Sequence, residues 1–211
     1  MPSMVHVVRH GEVYNPDRIF YGRLPGYRLS GYGIDQAATT ARYLADEGGD
    51  IGYLAASPLE RAQQTAEPIA RALDLAVVED RRLIEPTNGF EGQRAAGGGK
   101  ILLAPKNWPL MWNPLRPSWG EPYQAIVDRV LAAVTAAVAA ANGRNAVCVT
   151  HQLPVVALRR HALGQHLWHD PRKRNCALAS VTTFAVEGST VTYVGYAEPA
   201  GATPRDAVAG A

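Results

Sequence analysis

Residues 5–12 read Val5-His6-Val7-Val8-Arg9-His10-Gly11-Glu12, an apolar run that stops at charged residues and a glycine. This pattern predicts a buried strand followed by a loop. Further along, the apolar run over residues 145–150 stops in the same way at His151-Gln152. Sites in open α/β sheets form just beyond the carboxyl ends of the strands. We therefore expect His10 and His151, which are distant in sequence, to meet at one end of a sheet.

Strands and helices alternate along the rest of the chain. The periodicity predicts helices near residues 30–45, 57–73, 122–142 and 154–163, and strands near 51–55, 76–78, 145–150, 177–186 and 190–196. Ser57-Pro58-Leu59-Glu60 has the spacing of a capping box, with Ser57 as the N-cap of the second helix. The alternation predicts a three-layer α/β/α fold with a mainly parallel central sheet.

The length of 211 residues suits one domain, which we place at residues 1–197, followed by a flexible tail at 198–211. Residues 86–121 differ in composition, because they hold a run of three glycines, several prolines and three of the four tryptophans, Trp108, Trp112 and Trp119. We interpret this stretch as an insertion into the domain. Two roles are open for it, a wall of the substrate pocket or simple packing onto the domain.

The charge balance argues against several classes of partner. The chain has 21 Lys and Arg against 19 Asp and Glu, and the net charge of +2 is too small to indicate nucleic acid or a charged membrane surface. Three of the 21 are lysines, so eighteen are arginines, which suit phosphate recognition only where they lie at an anion site. Two cysteines are too few for a disulfide scaffold or a structural zinc site, and we expect Cys148 to be a buried thiol.

Membrane insertion and export are not indicated either. The N-terminus has no charged leader followed by an apolar stretch, so we predict no signal peptide. The longest Ala/Val-rich run, residues 130–141, is shorter than the roughly 20 residues that a bilayer span needs. We predict a cytoplasmic protein without a membrane partner, and a homodimer is compatible with the sequence.

Arg61 and Glu85 extend the two histidines into a candidate site. Arg61 lies near the start of the second predicted helix, where free backbone N–H groups and the macrodipole favour anions. Together with Arg9, it could hold a phosphoryl group through charged hydrogen bonds. Glu85 follows the short predicted strand near residues 76–78 and is a candidate general acid. Taken singly, Arg61 and Glu85 also fit ordinary surface charges.

The sequence carries five blocks in order: Val8-Arg9-His10-Gly11-Glu12, Leu29-Ser30-Gly31-Tyr32-Gly33-Ile34-Asp35-Gln36-Ala37, Ser57-Pro58-Leu59-Glu60-Arg61-Ala62-Gln63-Gln64-Thr65-Ala66, Arg82-Leu83-Ile84-Glu85 and Val149-Thr150-His151. Together they resemble the signature of the histidine phosphatase superfamily, also called the phosphoglycerate mutase-like family. One Arg-His-Gly triplet would be a weak signal, whereas five ordered blocks are a specific one. The resemblance implies the phosphoglycerate mutase-like α/β fold.

The resemblance also implies a role for each candidate residue. His10 would be the nucleophile that becomes a phosphohistidine, and Glu85 would protonate the leaving oxygen. Arg9, Arg61 and the second catalytic histidine, His151, would surround the phosphoryl group. This agrees with the chemistry, because histidine must be neutral to attack and neighbouring arginines lower its pKa. Fixed arginines stabilise phosphoryl transfer without a metal, so we expect neither a metal nor a cofactor.

The sequence departs from the family pattern at three positions. Gln152 stands where a glycine usually follows the second histidine, and Val13 replaces a small hydroxyl residue. Asn15 matches a family asparagine near the phosphate but stands one residue closer to His10 than in typical mutases. We keep Asn15 and Gln152 as lesser phosphate-binding candidates.

Three functions fit these residues. The favoured one is a phosphomonoester hydrolase acting on a small phosphorylated metabolite. The alternative is a phosphoglycerate mutase, but residues 86–92 lack the basic stretch that mutases carry after the catalytic glutamate, and we find no basic cluster near Glu85. The third is a non-catalytic anion-binding module on the same fold, which the presence of every catalytic residue disfavours.

Overall fold

The computed structural model describes residues 2–94, 120–170 and 173–201. Most of the predicted insertion, including Trp108, Trp112 and Trp119, lies outside the described residues. The same holds for the predicted tail from residue 202 onward. The interpretation of both stretches therefore stays a prediction.

The described chain forms a six-stranded sheet in the order β3-β2-β4-β1-β5-β6. The strands are β1 (Ser3–Arg9), β2 (Ile51–Ala56), β3 (Val77–Glu79), β4 (Asn145–Thr150), β5 (Val181–Glu187) and β6 (Thr190–Ala197). The pairs β1–β4, β2–β4 and β2–β3 are parallel, whereas β5 is antiparallel to both β1 and β6. The prediction of a mainly parallel sheet is confirmed.

Among the described residues, four helices cover the two faces of this sheet: α1 (Gly31–Glu47), α2 (Glu60–Leu73), α3 (Tyr123–Ala140) and α4 (Gln152–Ala162). Successive side chains of a strand point to opposite faces, and the core is divided accordingly. Val5 and Val7 pack in the cluster with α3 and α4, whereas Val8 packs in the cluster with α1 and α2. The three-layer arrangement is confirmed, and Cys148 is a buried thiol as predicted.

The ends of β1 and β4 position the two histidines. Arg9 is paired with Thr150 in the parallel register, so both strands end at the same level. The backbone N–H of His10 then donates to the carbonyl of Thr150 at 3.0 Å. His10 and His151 consequently leave the sheet side by side, and α4 begins directly after His151 rather than at Pro154.

The predicted capping box at the start of α2 is wrong. The helix begins at Glu60, and its N-cap is Leu59, which makes no side-chain capping hydrogen bond. Ser57 lies three residues before the helix and is completely buried. Its hydroxyl accepts a long hydrogen bond from the backbone N–H of Leu59, at 3.4 Å, and makes a shorter one of 2.8 Å with the ring of His151.

The strand predicted from Ala177 begins only at Val181. Residues 177–180 form a turn in which Ser180 donates from both its backbone and its hydroxyl to the carbonyl of Ala177. Ala179 has a φ of 54°, which a strand does not allow. Because the backbone of Ala179 donates to the carbonyl of His10, this turn supports the candidate site from behind.

Within the described residues, α3 is the one helix whose length and mean hydropathy, 1.3, would suit a membrane span. Its side chains Ile126, Val127, Val130 and Val134 are buried against the sheet. An apolar helix that packs in this way is typical of a protein core.

Candidate active site

His10 lies at the end of β1 with its ring enclosed, and only 2% of the residue is exposed. Its Nδ1 lies 2.7 Å from the carbonyl oxygen of Gly11. A carbonyl can only accept, so Nδ1 carries the proton and donates it. In the neutral ring, Nε2 then has a free lone pair. This tautomer is the one that a nitrogen nucleophile needs.

The surroundings of His10 keep the ring neutral. Burial lowers the pKa of His10 well below its ordinary value, and the charges of Arg61 and then Arg9 lower it further. The hydrogen bond to Gly11 opposes this shift more weakly. At neutral pH the ring therefore keeps the unprotonated Nε2.

Arg9 and Arg61 are both buried, and each is anchored through one nitrogen. Nη1 of Arg9 donates to the carbonyl of Cys176, and Nη2 of Arg61 donates to the carbonyl of Gly22, both at 2.6 Å. The guanidinium of Arg61 also lies 4.7 Å above the ring centre of Tyr21. These contacts fix the two side chains while leaving the Nε atoms of both without a hydrogen-bond partner among the described residues.

His151 is in edge-to-face contact with His10, with ring centres 5.2 Å apart. Its Nε2 is hydrogen-bonded to the hydroxyl of Ser57 at 2.8 Å, so the ring presents Nδ1 to the site. Burial lowers the pKa of His151 well below its ordinary value, and the charge of Arg61 contributes in the same direction. In this structure His151 is therefore a neutral group.

Glu85 faces His151, with its Oε2 3.5 Å from Nδ1 of the ring. Burial raises the pKa of Glu85, although Arg61, Arg174 and Arg9 act against the shift. Burial of both groups therefore works against a charged ion pair between them. A buried carboxyl group with a raised pKa is suited to act as a general acid.

The backbone around Glu85 is held from three sides. A 3₁₀ turn, Arg81–Leu83, precedes it, and Thr150 donates its hydroxyl to the carbonyl of Leu83. Arg23 donates from Nε to the carbonyl of Glu85 itself. The carboxyl group is thus positioned by β4 and by the loop that contains Arg23.

Unpartnered buried polar atoms converge on this site. In the part of the chain that the structure describes, six buried side-chain N or O atoms have no hydrogen-bond partner, and four of them belong to Arg9, Arg61, Glu85 and His151. Such atoms are rare in folded proteins, because desolvation without a partner costs free energy. Their concentration around His10 indicates a site prepared for an anionic ligand.

Two glycines of the sequence blocks bring α1 against the loop after β1. A Cβ atom at Gly11 would lie 2.5 Å from the carbonyl oxygen of Gly33, and a Cβ atom at Gly33 would collide with the backbone of Glu12. Ser30, the N-cap of α1, donates its hydroxyl to the carboxylate of Glu12. The first two blocks are therefore one packing unit that supports His10.

Asn15 and Gln152 are engaged elsewhere in this structure. Both polar atoms of the Asn15 side chain are hydrogen-bonded to the backbone of Ile19. The Oε1 atom of Gln152 accepts from Nη1 of Arg174 at 3.2 Å. A phosphate-binding role for either residue stays a prediction.

Ser57 and Arg174 are the site residues that the sequence did not disclose. Ser57 fits a helix cap, and Arg174 lies in a short charged stretch typical of a solvated loop. The sequence showed no basic cluster near Glu85, but in the folded chain the charges of Arg174 and Arg129 act on its carboxyl group. Both arginines come from parts of the sequence far from Glu85.

The fold and the site together define an α/β protein with a buried, neutral histidine in a pocket lined by arginines. The sequence matches the profile of the histidine phosphatase superfamily (branch 1) over residues 5–199. The chain belongs to this superfamily.

Relatives of this chain agree with that assignment. An uncharacterized protein of Mycobacterium tuberculosis is 52% identical over 198 residues, which cover 94% of this chain and 97% of the relative. A protein of Escherichia coli named probable phosphoglycerate mutase GpmB is 30% identical over 184 residues, which cover 84% of this chain and 83% of the relative.

Solved structures are similar as well. The structure of YhfR from Bacillus stearothermophilus matches with a TM-score of 0.73 and 26% identity, covering 91% of this chain and 95% of that one. A mycobacterial glucosyl-3-phosphoglycerate phosphatase matches with a TM-score of 0.72 and 24% identity, covering 92% of this chain and 97% of that one. The second likeness supports the fold alone.

Proposed function

We propose that this protein hydrolyses phosphomonoesters of small metabolites through a phosphohistidine formed on His10. The observation that carries the proposal is the state of His10, whose Nδ1 donates to Gly11 and whose Nε2 is free within a buried, positively charged pocket. Unpartnered nitrogens of Arg9, Arg61 and His151 surround it and are suited to the oxygens of a phosphoryl group.

In the first step, Nε2 of His10 attacks phosphorus, and the bond to the leaving oxygen breaks as the P–N bond forms. Glu85 gives its proton to the leaving oxygen and becomes a carboxylate. The arginines hold the equatorial oxygens, where the transition state carries its charge. Because the donors are fixed before the substrate binds, little reorganisation is needed during transfer.

In the second step, water takes the place of the leaving group. The Glu85 carboxylate accepts a proton from the water, and the water oxygen attacks phosphorus as the P–N bond breaks. This returns a neutral His10, a protonated Glu85 and inorganic phosphate. The charge that each step requires comes from this chain's own arginines, so we propose that the reaction needs no added metal.

His151 responds to the substrate in this scheme. Its ring is neutral in the structure, because burial and Arg61 lower its pKa. A bound dianion favours the protonated ring, which would then donate from Nδ1 toward the phosphoryl oxygens. Ser57 holds the ring in the orientation that this hydrogen bond needs.

A mutase is the second candidate, because a relative named probable phosphoglycerate mutase GpmB covers most of this chain. A mutase would transfer the phosphoryl group from His10 to a second oxygen of its substrate rather than to water. Interconversion of 2- and 3-phosphoglycerate that outpaces release of inorganic phosphate would favour this alternative.

Turnover of p-nitrophenyl phosphate tests the proposal. We expect the His10→Ala variant to lose at least about 10³-fold in kcat, because the covalent route disappears. His161→Ala is the matched control, since His161 is exposed on α4 and is expected to leave the rate unchanged. A wild-type protein that releases no phosphate from a broad panel of phosphomonoesters would contradict the catalytic proposal.

A further inference from the structure

Thr65 lies in α2, four residues after Arg61, and it is completely buried. Its hydroxyl donates to the carbonyl of Arg61 at 2.7 Å, as a threonine in a helix commonly does, and accepts from the backbone N–H of Gly11 at 3.1 Å. Both directions are fixed, because a carbonyl can only accept and a backbone N–H can only donate. One side chain therefore joins the helix that carries Arg61 to the loop that follows His10.

The peptide group between His10 and Gly11 is held at both of its ends. Its N–H donates to Thr65, and its carbonyl, which belongs to His10, accepts from the backbone N–H of Ala179 at 3.2 Å. Loss of the Thr65 hydroxyl would leave a buried N–H without its partner, which costs free energy. The peptide group would then be tethered on one side only.

Gly11 passes this orientation to the ring of His10. Its carbonyl accepts the proton of Nδ1 at 2.7 Å, and the N–H of the same peptide group, that of Glu12, donates to the side chain of Gln36 at 2.8 Å. A glycine has no Cβ to restrict its backbone, so its conformation depends on the contacts of the two peptide groups that flank it. Thr65 holds the first of these groups, and Gln36 holds the second.

We propose that the hydroxyl of Thr65 is a positioning group, which sets the place of His10 relative to Arg61 and keeps the carbonyl of Gly11 in line with Nδ1 of His10. This inference rests on the proposed function, because His10 attacks the phosphoryl group that Arg61 holds. Thr65 acts through the other residues and not on the substrate, since it is completely buried and both of its hydrogen bonds go to backbone atoms.

The effect of Thr65 is expected in the chemical step. A nucleophile must lie close to phosphorus and in line with the leaving oxygen, and a displacement of about 1 Å can cost about 10²-fold in rate. Binding of phosphate depends on the guanidinium of Arg61, which is anchored to the carbonyl of Gly22 and not to Thr65. Loss of the hydroxyl should therefore lower kcat and leave the affinity for phosphate nearly unchanged.

Thr65→Val tests the inference, because valine has a similar branched shape and lacks the hydroxyl. On p-nitrophenyl phosphate we expect kcat to fall by about 10- to 100-fold, while the inhibition constant of inorganic phosphate changes by less than about threefold. Thr65→Ser restores the hydroxyl and should bring kcat back to within about threefold of the wild type.

Nuclear magnetic resonance of the ring nitrogens gives a second measurement, which needs no turnover. In protein that carries isotope-labelled histidine, the wild type should show His10 protonated at Nδ1 and unprotonated at Nε2. The His10→Ala variant identifies these signals by their loss. Thr65→Val should add a second population of His10 that is protonated at Nε2, and Thr65→Ser should not.

Thr39→Val is the matched control. Thr39 lies in α1, where its hydroxyl also donates to the carbonyl four residues earlier, that of Asp35, and accepts one hydrogen bond, from Arg42. These contacts do not involve the loop after His10, so kcat and the ring signals should match those of the wild type. Thr65→Ala, compared with Thr65→Ser, repeats the test if the valine variant does not fold.

Several results would overturn the inference. Equal losses of kcat in Thr65→Val and Thr65→Ser would mean that the shape of the side chain matters and the hydroxyl does not. Wild-type kcat or unchanged ring signals in Thr65→Val would contradict the positioning role directly. A wild-type protein that hydrolyses no phosphomonoester would refute the proposed function instead, and the ring signals would still show whether Thr65 holds His10.

Discussion

The two sides of the candidate site are built in different ways. In the proposed reaction the phosphoryl side contains Arg9, His10, Arg61 and His151, each placed at a strand end or in the first turn of a helix. In the proposed reaction the leaving-group side contains Glu85, which follows a 3₁₀ turn rather than the end of a strand. The phosphoryl side depends on the sheet, so it can be rigid and common to many substrates. The leaving-group side can vary without disturbing the sheet.

The largest effect after loss of the nucleophile is expected on the phosphoryl side. Arg61→Ala removes a buried donor and the charge that helps to keep His10 neutral. We expect kcat/KM to fall by about 10²- to 10³-fold for every phosphomonoester, whatever its leaving group. Steady-state kinetics of Arg61→Ala and wild type on several esters measure this fall in kcat/KM.

Arg71→Ala is the control for that variant, because Arg71 lies on the same helix in an exposed ion pair with Glu67. It should leave the rate unchanged. A loss in Arg61→Ala that depended strongly on the leaving group would break the distinction between the two sides.

On the leaving-group side, Glu85→Gln should lower kcat by about 10²-fold for alkyl phosphates, whose leaving groups need protonation. The loss should be far smaller for p-nitrophenyl phosphate, which has a good leaving group. The comparison of the two ester classes in one variant measures the general acid directly. Equal losses for both would show that Glu85 serves a different role.

The pH profile follows from the same residue. The pKa of Glu85 is raised by burial, and Glu85 donates only while protonated, so activity on alkyl phosphates should fall as pH rises through that pKa. The pKa of His10 is lowered, so activity should fall at the acid end only when pH drops through that lower value. Glu85→Gln should lose the alkaline limb and keep the acid one.

A smaller effect is expected from Ser57→Ala. This variant removes the hydrogen bond that orients His151, and we expect kcat to fall by about 2- to 10-fold. Ser57→Thr, which keeps the hydroxyl, should recover much of the loss if the larger side chain is accommodated. An alanine variant that matches the wild type would mean that packing alone orients the ring.

The smallest effect concerns stability. Burial raises the pKa of Glu85 above its ordinary value of 4.5, so the unfolded chain releases this proton at lower pH than the folded chain does. The contribution of Glu85 to the free energy of unfolding is therefore full below that ordinary value and is lost as pH rises toward the folded pKa. We expect Glu85→Gln to lack this loss, so that the free energies of unfolding of wild type and variant, measured with denaturant, diverge between pH 5 and pH 8.

The control for the stability measurement is Glu67→Gln, because Glu67 is exposed and paired on the surface of α2. The free energy of unfolding of this variant should change with pH in the same way as that of the wild type. A wild-type protein that gains stability over this pH range relative to Glu85→Gln would mean that Glu85 is ionised in the folded state.

The difference between the two sides of the candidate site also explains which site residues the sequence could predict. His10 and His151 each follow an apolar strand, and parallel strands end at one edge of a sheet, so their meeting follows from local patterns. Arg61 could be predicted as a site residue for a similar reason, since it lies at the start of a helix whose periodicity is clear in the sequence. The fold class depends on the same alternation of strands and helices.

The positions of the residues that the sequence did not predict depend on tertiary contacts, which no local sequence pattern indicates. Ser57 matches a helix cap, and only the neighbouring His151 decides that its hydroxyl serves the site. Arg174 has charged neighbours in sequence, whereas its partners Gln152 and His169 meet it only in the folded chain. Residues 177–180 are largely apolar and predict a strand, but they form a turn that contacts His10.

The most direct test of the account is to trap the covalent intermediate. The wild-type protein is mixed with p-nitrophenyl phosphate, quenched in alkali, where phosphohistidine survives, and digested for mass spectrometry. We predict one added phosphoryl group, on the peptide that contains His10, which disappears in His10→Ala and persists in His161→Ala. Steady turnover by the wild type with no phosphoryl group on His10, or with one on another residue, would contradict the central claim.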